Sequence, residues 1–116
     1  MNDILLRKDA VVVNFDMLGV MLEPYKFTAR RYVEDSGSIT LSLDEIDLAV
    51  NARDDEEAIR KMAEDILEYS EDYFHRFDSW YSSANRKPHL PYVFKALMLN
   101  DAEQIKNLIT CRHRET

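Results

Sequence analysis

The sequence predicts an α+β fold, a small antiparallel sheet of two to four strands packed by one long helix and followed by two shorter helices. Three observations carry this. Apolar residues alternate at period two between positions 26 and 50, they recur at steps of three and four between 59 and 80, and proline and Asn/Asp punctuation divides the rest into short helical pieces. At 116 residues, 46% apolar and 32% charged, the chain has the size and composition for a single core, which excludes disordered and repetitive classes. No stretch has the length or flanks of a signal peptide or membrane helix, and the lone cysteine, Cys111, forms no internal disulfide, so a cytoplasmic protein is expected.

Residues 10–13 are a short β-branched run read as a strand. Asp16 then caps a helix through Met17, Leu18, Val20, Met21 and Leu22 that ends before Pro24. Residues 26–34 alternate, with Phe27, Ala29 and Val33 on one face and Thr28, Arg30 and Tyr32 on the other, which marks a half-buried strand. Asp35, Ser36 and Gly37 supply turn chemistry, and Ile39, Leu41 and Leu43 follow at period two, so a hairpin is expected. Ile46, Leu48 and Val50 continue the alternation as a bent continuation or third strand. Asp54 or Asp55 caps the long helix, whose first turn holds Glu56 and Glu57 where the helix dipole favours negative charge. Its apolar stripe runs through Ile59, Met62, Ile66, Tyr69 or Ser70, Tyr73, Phe77 and Trp80 over about seven turns. Ser82, Ser83, Asn85 and Pro88 end it. Pro91 opens a second helix over 92–99, and Asn100 and Asp101 restart a third through Ile105, Leu108 and Ile109, beyond which a charged tail frays. The chain divides into a strand–helix arm at 1–24, an α+β domain with its C-terminal helices at 25–110, and a tail at 111–116.

The formal charge of −7 opposes broad affinity for nucleic-acid backbones. Between 54 and 78 ten carboxylates face three cations, so the long helix has an acidic outer face that either keeps the chain soluble or docks a basic partner. Glu68, Asp72 and His75 share one side of that helix and amount to half a metal site, with His89 the one further plausible donor. Cys111 and His113 lack a third orienting group, two glycines cannot build a phosphate loop, and no pair of carboxylates is marked for a cleft. No catalytic residue, metal or cofactor is therefore assigned.

The segment 83–92 is unusual in holding two cations, Arg86 and Lys87, an imidazole, His89, and two prolines between two helices. As a rigid connector, Asn85 makes the turn, Arg86 reaches a carboxylate of the long helix, and His89 and Tyr92 pack over the sheet. As a site, Asn85, Arg86, Lys87, His89 and Tyr92 form a cationic wall for an anion or a partner loop. The six aromatics Tyr69, Tyr73, Phe74, Phe77, Trp80 and Tyr81 exceed what one stripe can bury, which leaves some for a contact surface.

The motifs MLEPYKF, SITLSLDEIDLAVN, ILEYSEDYFHRF and SANRKPHLPYV resemble the Phd-like antitoxins of RelE/RelB-type toxin–antitoxin systems. The pattern of a hairpin followed by a long helix is also similar to the α+β module of HicB-like antitoxins. Members of the first family carry a longer N-terminal half resembling the Phd/YefM fold, which dimerises and binds DNA. Only its last strand and following helix are matched here, which speaks against operator binding. The resemblance implies a non-catalytic antitoxin that neutralises a cognate small basic ribonuclease, with Glu64, Glu68, Glu71 and Asp72 as its acidic partner face. Unpaired sheet edges point further to a homodimer. A small-ligand or anion-binding module, or an orphan dimerisation domain, is the alternative.

Overall fold

The computed structural model describes residues 15–113, so the strand expected at 10–13 lies outside the described residues. Helix α1 (Phe15–Met21) leads into β1 (Phe27–Val33), β2 (Ile39–Leu43) and β3 (Ala49–Ala52). These are followed by α2 (Asp55–His75), α3 (Phe77–Ser82), α4 (Leu90–Leu99), α5 (Ala102–Lys106) and β4 (Ile109–His113).

The hairpin forms as its turn chemistry dictates. Gly37 takes a φ of 93°, a conformation that costs a side-chain-bearing residue, and the Gly37 N–H donates to the Glu34 carbonyl at 2.8 Å. β2 alternates strictly, with Ile39, Leu41 and Leu43 buried, while Val33 at the turn end of β1 is 60% exposed and does not share the buried face expected for it. The interruption at Asp44 and Glu45 has a structural use. Both Glu45 oxygens accept from the Thr28 N–H, at 2.8 and 3.0 Å, and tie the loop after β2 to the start of β1.

The sheet is mixed rather than antiparallel, in the order β3-β2-β1-β4. β4 runs parallel to β1, with Phe27 opposite Ile109 and Arg31 opposite His113. The tail expected from 111 onward is thus a strand through His113, and the third helix stops at Lys106, leaving Leu108 in the turn and Ile109 in the sheet. Cys111 is half-buried against the core and not a surface thiol. Burial and, more weakly, Asp55 push its pKa up, while Arg31 acts in the opposite direction.

Asp54 caps α2 by accepting from the Glu57 N–H at 2.8 Å, and the Glu57 carboxylate reaches back to the Arg53 N–H at 3.0 Å. That contact, first among its causes, holds the Glu57 carboxyl below the usual range. α2 then packs over β2 and β3 on one side and against α4 and α5 on the other. Ala58, Met62, Ala63 and Ile66 meet Phe27, Leu41, Ala96 and Ile105 in a single core. The small residues Ala63 and Ala96, both fully buried, leave room for the neighbouring backbones to approach.

The long helix is shorter than its apolar stripe. At Arg76 the backbone turns to φ −122°, ψ 44°, which closes α2 and opens α3, so Phe77 and Trp80 belong to the next helix. Ser70 sits inside α2, fully buried, and its hydroxyl has no hydrogen-bond partner among the described residues. Ser70→Ala removes that unpaired group, so a gain of about 1 kcal/mol in unfolding free energy is expected, measured as a higher urea midpoint at unchanged slope.

Candidate partner-binding site

The break after α2 turns the chain back, so that the connector between α3 and α4 lies over the end of α2. Tyr69, at the start of the last third of α2, becomes the hub of this region. Its hydroxyl lies 2.7 Å from His89 Nδ1, and an Arg86 guanidinium nitrogen donates to it at 3.4 Å. The Arg86 guanidinium carbon sits 5.0 Å from the centre of the Trp80 ring and 5.7 Å from that of Tyr69, within cation–π range of both. Tyr73 donates its hydroxyl to the Arg86 carbonyl at 2.9 Å and stacks on Trp80 at 6.4 Å. Arg86 therefore reaches aromatic rings and a phenol, not the carboxylate that a simple connector would use.

The carboxylate of Asp72 is engaged elsewhere. It accepts two bonds from Arg76, at 3.1 and 2.9 Å, and one from the Trp80 indole at 2.8 Å. These bonds, Arg76 first, hold the Asp72 carboxyl below the usual range. They also fasten α3 to the last turn of α2 across the break.

His89 is 4% exposed, and its pKa is lowered by burial first and by the Arg86 charge second, so the ring is neutral at pH 7. Lys87 remains exposed with its ammonium 5.5 Å from the Tyr81 ring, and Asn85 is exposed in the turn. Tyr92 belongs to a different neighbourhood, edge-on to Tyr25 at 5.2 Å and beside Phe27 at 5.8 Å over the sheet. Of the five connector residues, the structure joins Arg86 and His89 through Tyr69, leaves Asn85 and Lys87 on the rim, and places Tyr92 with β1.

The acidic residues divide similarly. Glu64, Glu68 and Glu71 follow one another at spacings of four and three, and all three are exposed on α2. Glu64 pairs with Arg60 at 3.0 Å, whereas Glu68 and Glu71 make no ion pair among the described residues. Asp72 lies one step around the helix and is held by Arg76 and Trp80. No group of three or more His, Cys, Asp or Glu among the described residues is placed to hold a metal ion.

Beside the acidic stripe lies an apolar groove that individual sequence motifs did not mark. Tyr73, Phe74, Phe77, Leu90, Val93, Phe94 and Leu97 line about 180 Å³ between the end of α2, α3 and α4. Phe74 is 62% exposed and Phe94 53%. One signal was present in the sequence, because LPYVFKALML has no polar face, and a helix apolar on every side has to be covered by something.

Comparison places this molecule in a class. It resembles the crystal structure of an antitoxin part of a proposed toxin/antitoxin system from Syntrophomonas wolfei subsp. wolfei, with a TM-score of 0.81 and 32% identity over 93% of this chain and 80% of that one. No curated protein sequence matches it. Residues 3–111 match the Phd-like family described as antitoxins of RelE/RelB toxin–antitoxin systems, and the chain belongs to that family. Among the described residues, no helix is long and apolar enough to cross a membrane.

Proposed function

We propose that this antitoxin neutralises a small basic ribonuclease by laying the outer face of α2 over the toxin's cationic surface, a binding role with no chemistry of its own. The observation that carries the reading is the exposed stripe of Glu64, Glu68 and Glu71. Glu64 and Glu68 stand four residues apart and Glu68 and Glu71 three, so each pair of like charges costs α2 about 0.2–0.5 kcal/mol. A solvated face gains nothing from that arrangement, whereas a cationic partner relieves it and is steered towards it. Asp72 supports this face indirectly by holding α3 in place.

The probe is the protein encoded immediately beside this chain, mixed with the purified antitoxin and followed by sizing and by association kinetics. Glu68→Lys with Glu71→Lys is expected to slow association about tenfold at low salt, with the difference shrinking as ionic strength rises. Both positions are exposed, so the fold should be unchanged. Association of the variant at low salt that is as fast as that of the unaltered chain would defeat the masking role.

A further inference from the structure

We infer that the groove between α2 and α4 is the anchor pocket of the toxin interface, and that it takes one large apolar side chain from a lysine- or arginine-rich segment of the partner. The inference rests on the antitoxin reading for the identity of the partner and adds where the contact is centred and what enters it. About 180 Å³ is close to the roughly 150 Å³ cavity that accommodates a benzene ring, so the groove holds a single Leu-, Met- or Phe-sized group and not a whole helix face. Its walls are preformed. Phe77 stacks on Tyr81 at 5.1 Å, and Tyr73 is fixed beneath by its bond to the Arg86 carbonyl.

The rim sets the charge of the occupant. Glu71 precedes Phe74 by three residues, which makes the two side chains neighbours on α2, and the stripe continues through Glu68 and Glu64. Asp78 is exposed at the start of α3. Of the nearby cations, Arg76 is bound bidentately by Asp72, and the Lys87 ammonium lies over the Tyr81 ring on the far side of Phe77. A segment carrying an apolar anchor with cations one helical turn away would fill the groove and meet Glu71 and Glu68 together. This is the arrangement of a desolvated centre ringed by polar contacts that concentrates binding energy in protein interfaces. α4 supports the same assignment, because its one charged residue, Lys95, is buried to 9% exposure while Phe94 faces outward.

The test uses the full chain, Phe74→Ser with Phe94→Ser, and two probes. The first probe is the protein encoded beside this chain. The second is a short helical peptide of lysine and alanine with one central leucine, compared with the same peptide carrying serine at the centre. Both phenylalanines are largely exposed, and a thermal melt confirms that the variant folds. Expected are a loss of at least about tenfold in affinity of the variant for the toxin, and leucine-dependent NMR shifts centred on Phe74, Phe94 and Leu97. Should the toxin bind the variant undiminished while Glu68→Lys with Glu71→Lys weakens it, the groove is not the anchor and the masking reading stands. Should the neighbouring protein not bind the unaltered chain, that reading falls and the peptide decides the groove alone. Leucine-dependent binding upholds the pocket, and binding indifferent to leucine, or none, overturns it.

Discussion

Replacing Tyr73 by alanine is expected to cost about 3–5 kcal/mol, the range for truncating a buried aromatic side chain. Against a stability of about 5–15 kcal/mol for a domain of this size, such a variant sits near the unfolding threshold at room temperature. Several contacts are lost together. Tyr73 is fully buried, stacks on Trp80, packs edge-on to Phe77 at 6.2 Å and to Tyr69 at 5.9 Å, and supplies the bond that fixes the Arg86 carbonyl. Tyr73→Phe separates these effects. It keeps the packing and removes only the hydroxyl, so a cost of about 1 kcal/mol is expected. Urea unfolding followed by circular dichroism reads both variants. A Tyr73→Ala midpoint within error of the parent would mean that α3 and the connector are not anchored through this ring.

Ending the chain after Leu108 is expected to cost at least about 3 kcal/mol and to leave a protein that aggregates on concentration. Ile109 and Cys111 are partly buried against the core, and burying an aliphatic side chain is worth about 1.5–3 kcal/mol. β4 also covers one edge of β1, and without it that strand becomes an unprotected edge next to the fully buried Phe27 and Ala29. By contrast, Thr110→Ala at an exposed position should stay within about 0.5 kcal/mol. Thermal unfolding and sizing of the two proteins decide the matter. Equal melting temperatures for the truncated and full chains would reduce β4 to a decoration of the sheet.

β4 was the part of the fold that local sequence signals could not show. Hairpin partners announce themselves through a turn between them, as Gly37 does between β1 and β2, but a parallel partner lies across the whole intervening chain and leaves no local mark. Only three of its five residues, Ile109, Thr110 and Cys111, have strand character, and they adjoin the polar Arg112 and His113. The α2 break was hidden for a different reason. No glycine or proline stands near Arg76, and Phe77 and Trp80 fall on the spacing that would extend the helix, so the apolar period ran straight through a place where the backbone turns. The caps at Asp54 and Asp101, the Pro91 helix start and the acidic stripe were legible because each depends on residues a few positions apart. The groove was not, because the exposure of Phe74 and Phe94 follows from how α2 and α4 are placed, and periodicity on either helix alone assigns no side to the partner.

The parallel pairing of β1 with β4 also sets the order in which the protein can be assembled. Phe27 and Ile109 are more than eighty residues apart, so the sheet is completed only after the last strand has been synthesised, and its closure carries the entropy of a very long loop. The hairpin and α2 are local and can form early, which exposes the acidic face before the core beneath it is sealed. A nascent or nicked chain lacking residues 109–113 would therefore display its charges without the rigid scaffold that positions them. Such a chain would be an early substrate for proteases, whose access depends on how often a fold opens. The scaffold that presents the charge of α2 thus depends on five residues that lie more than thirty positions beyond that helix in sequence.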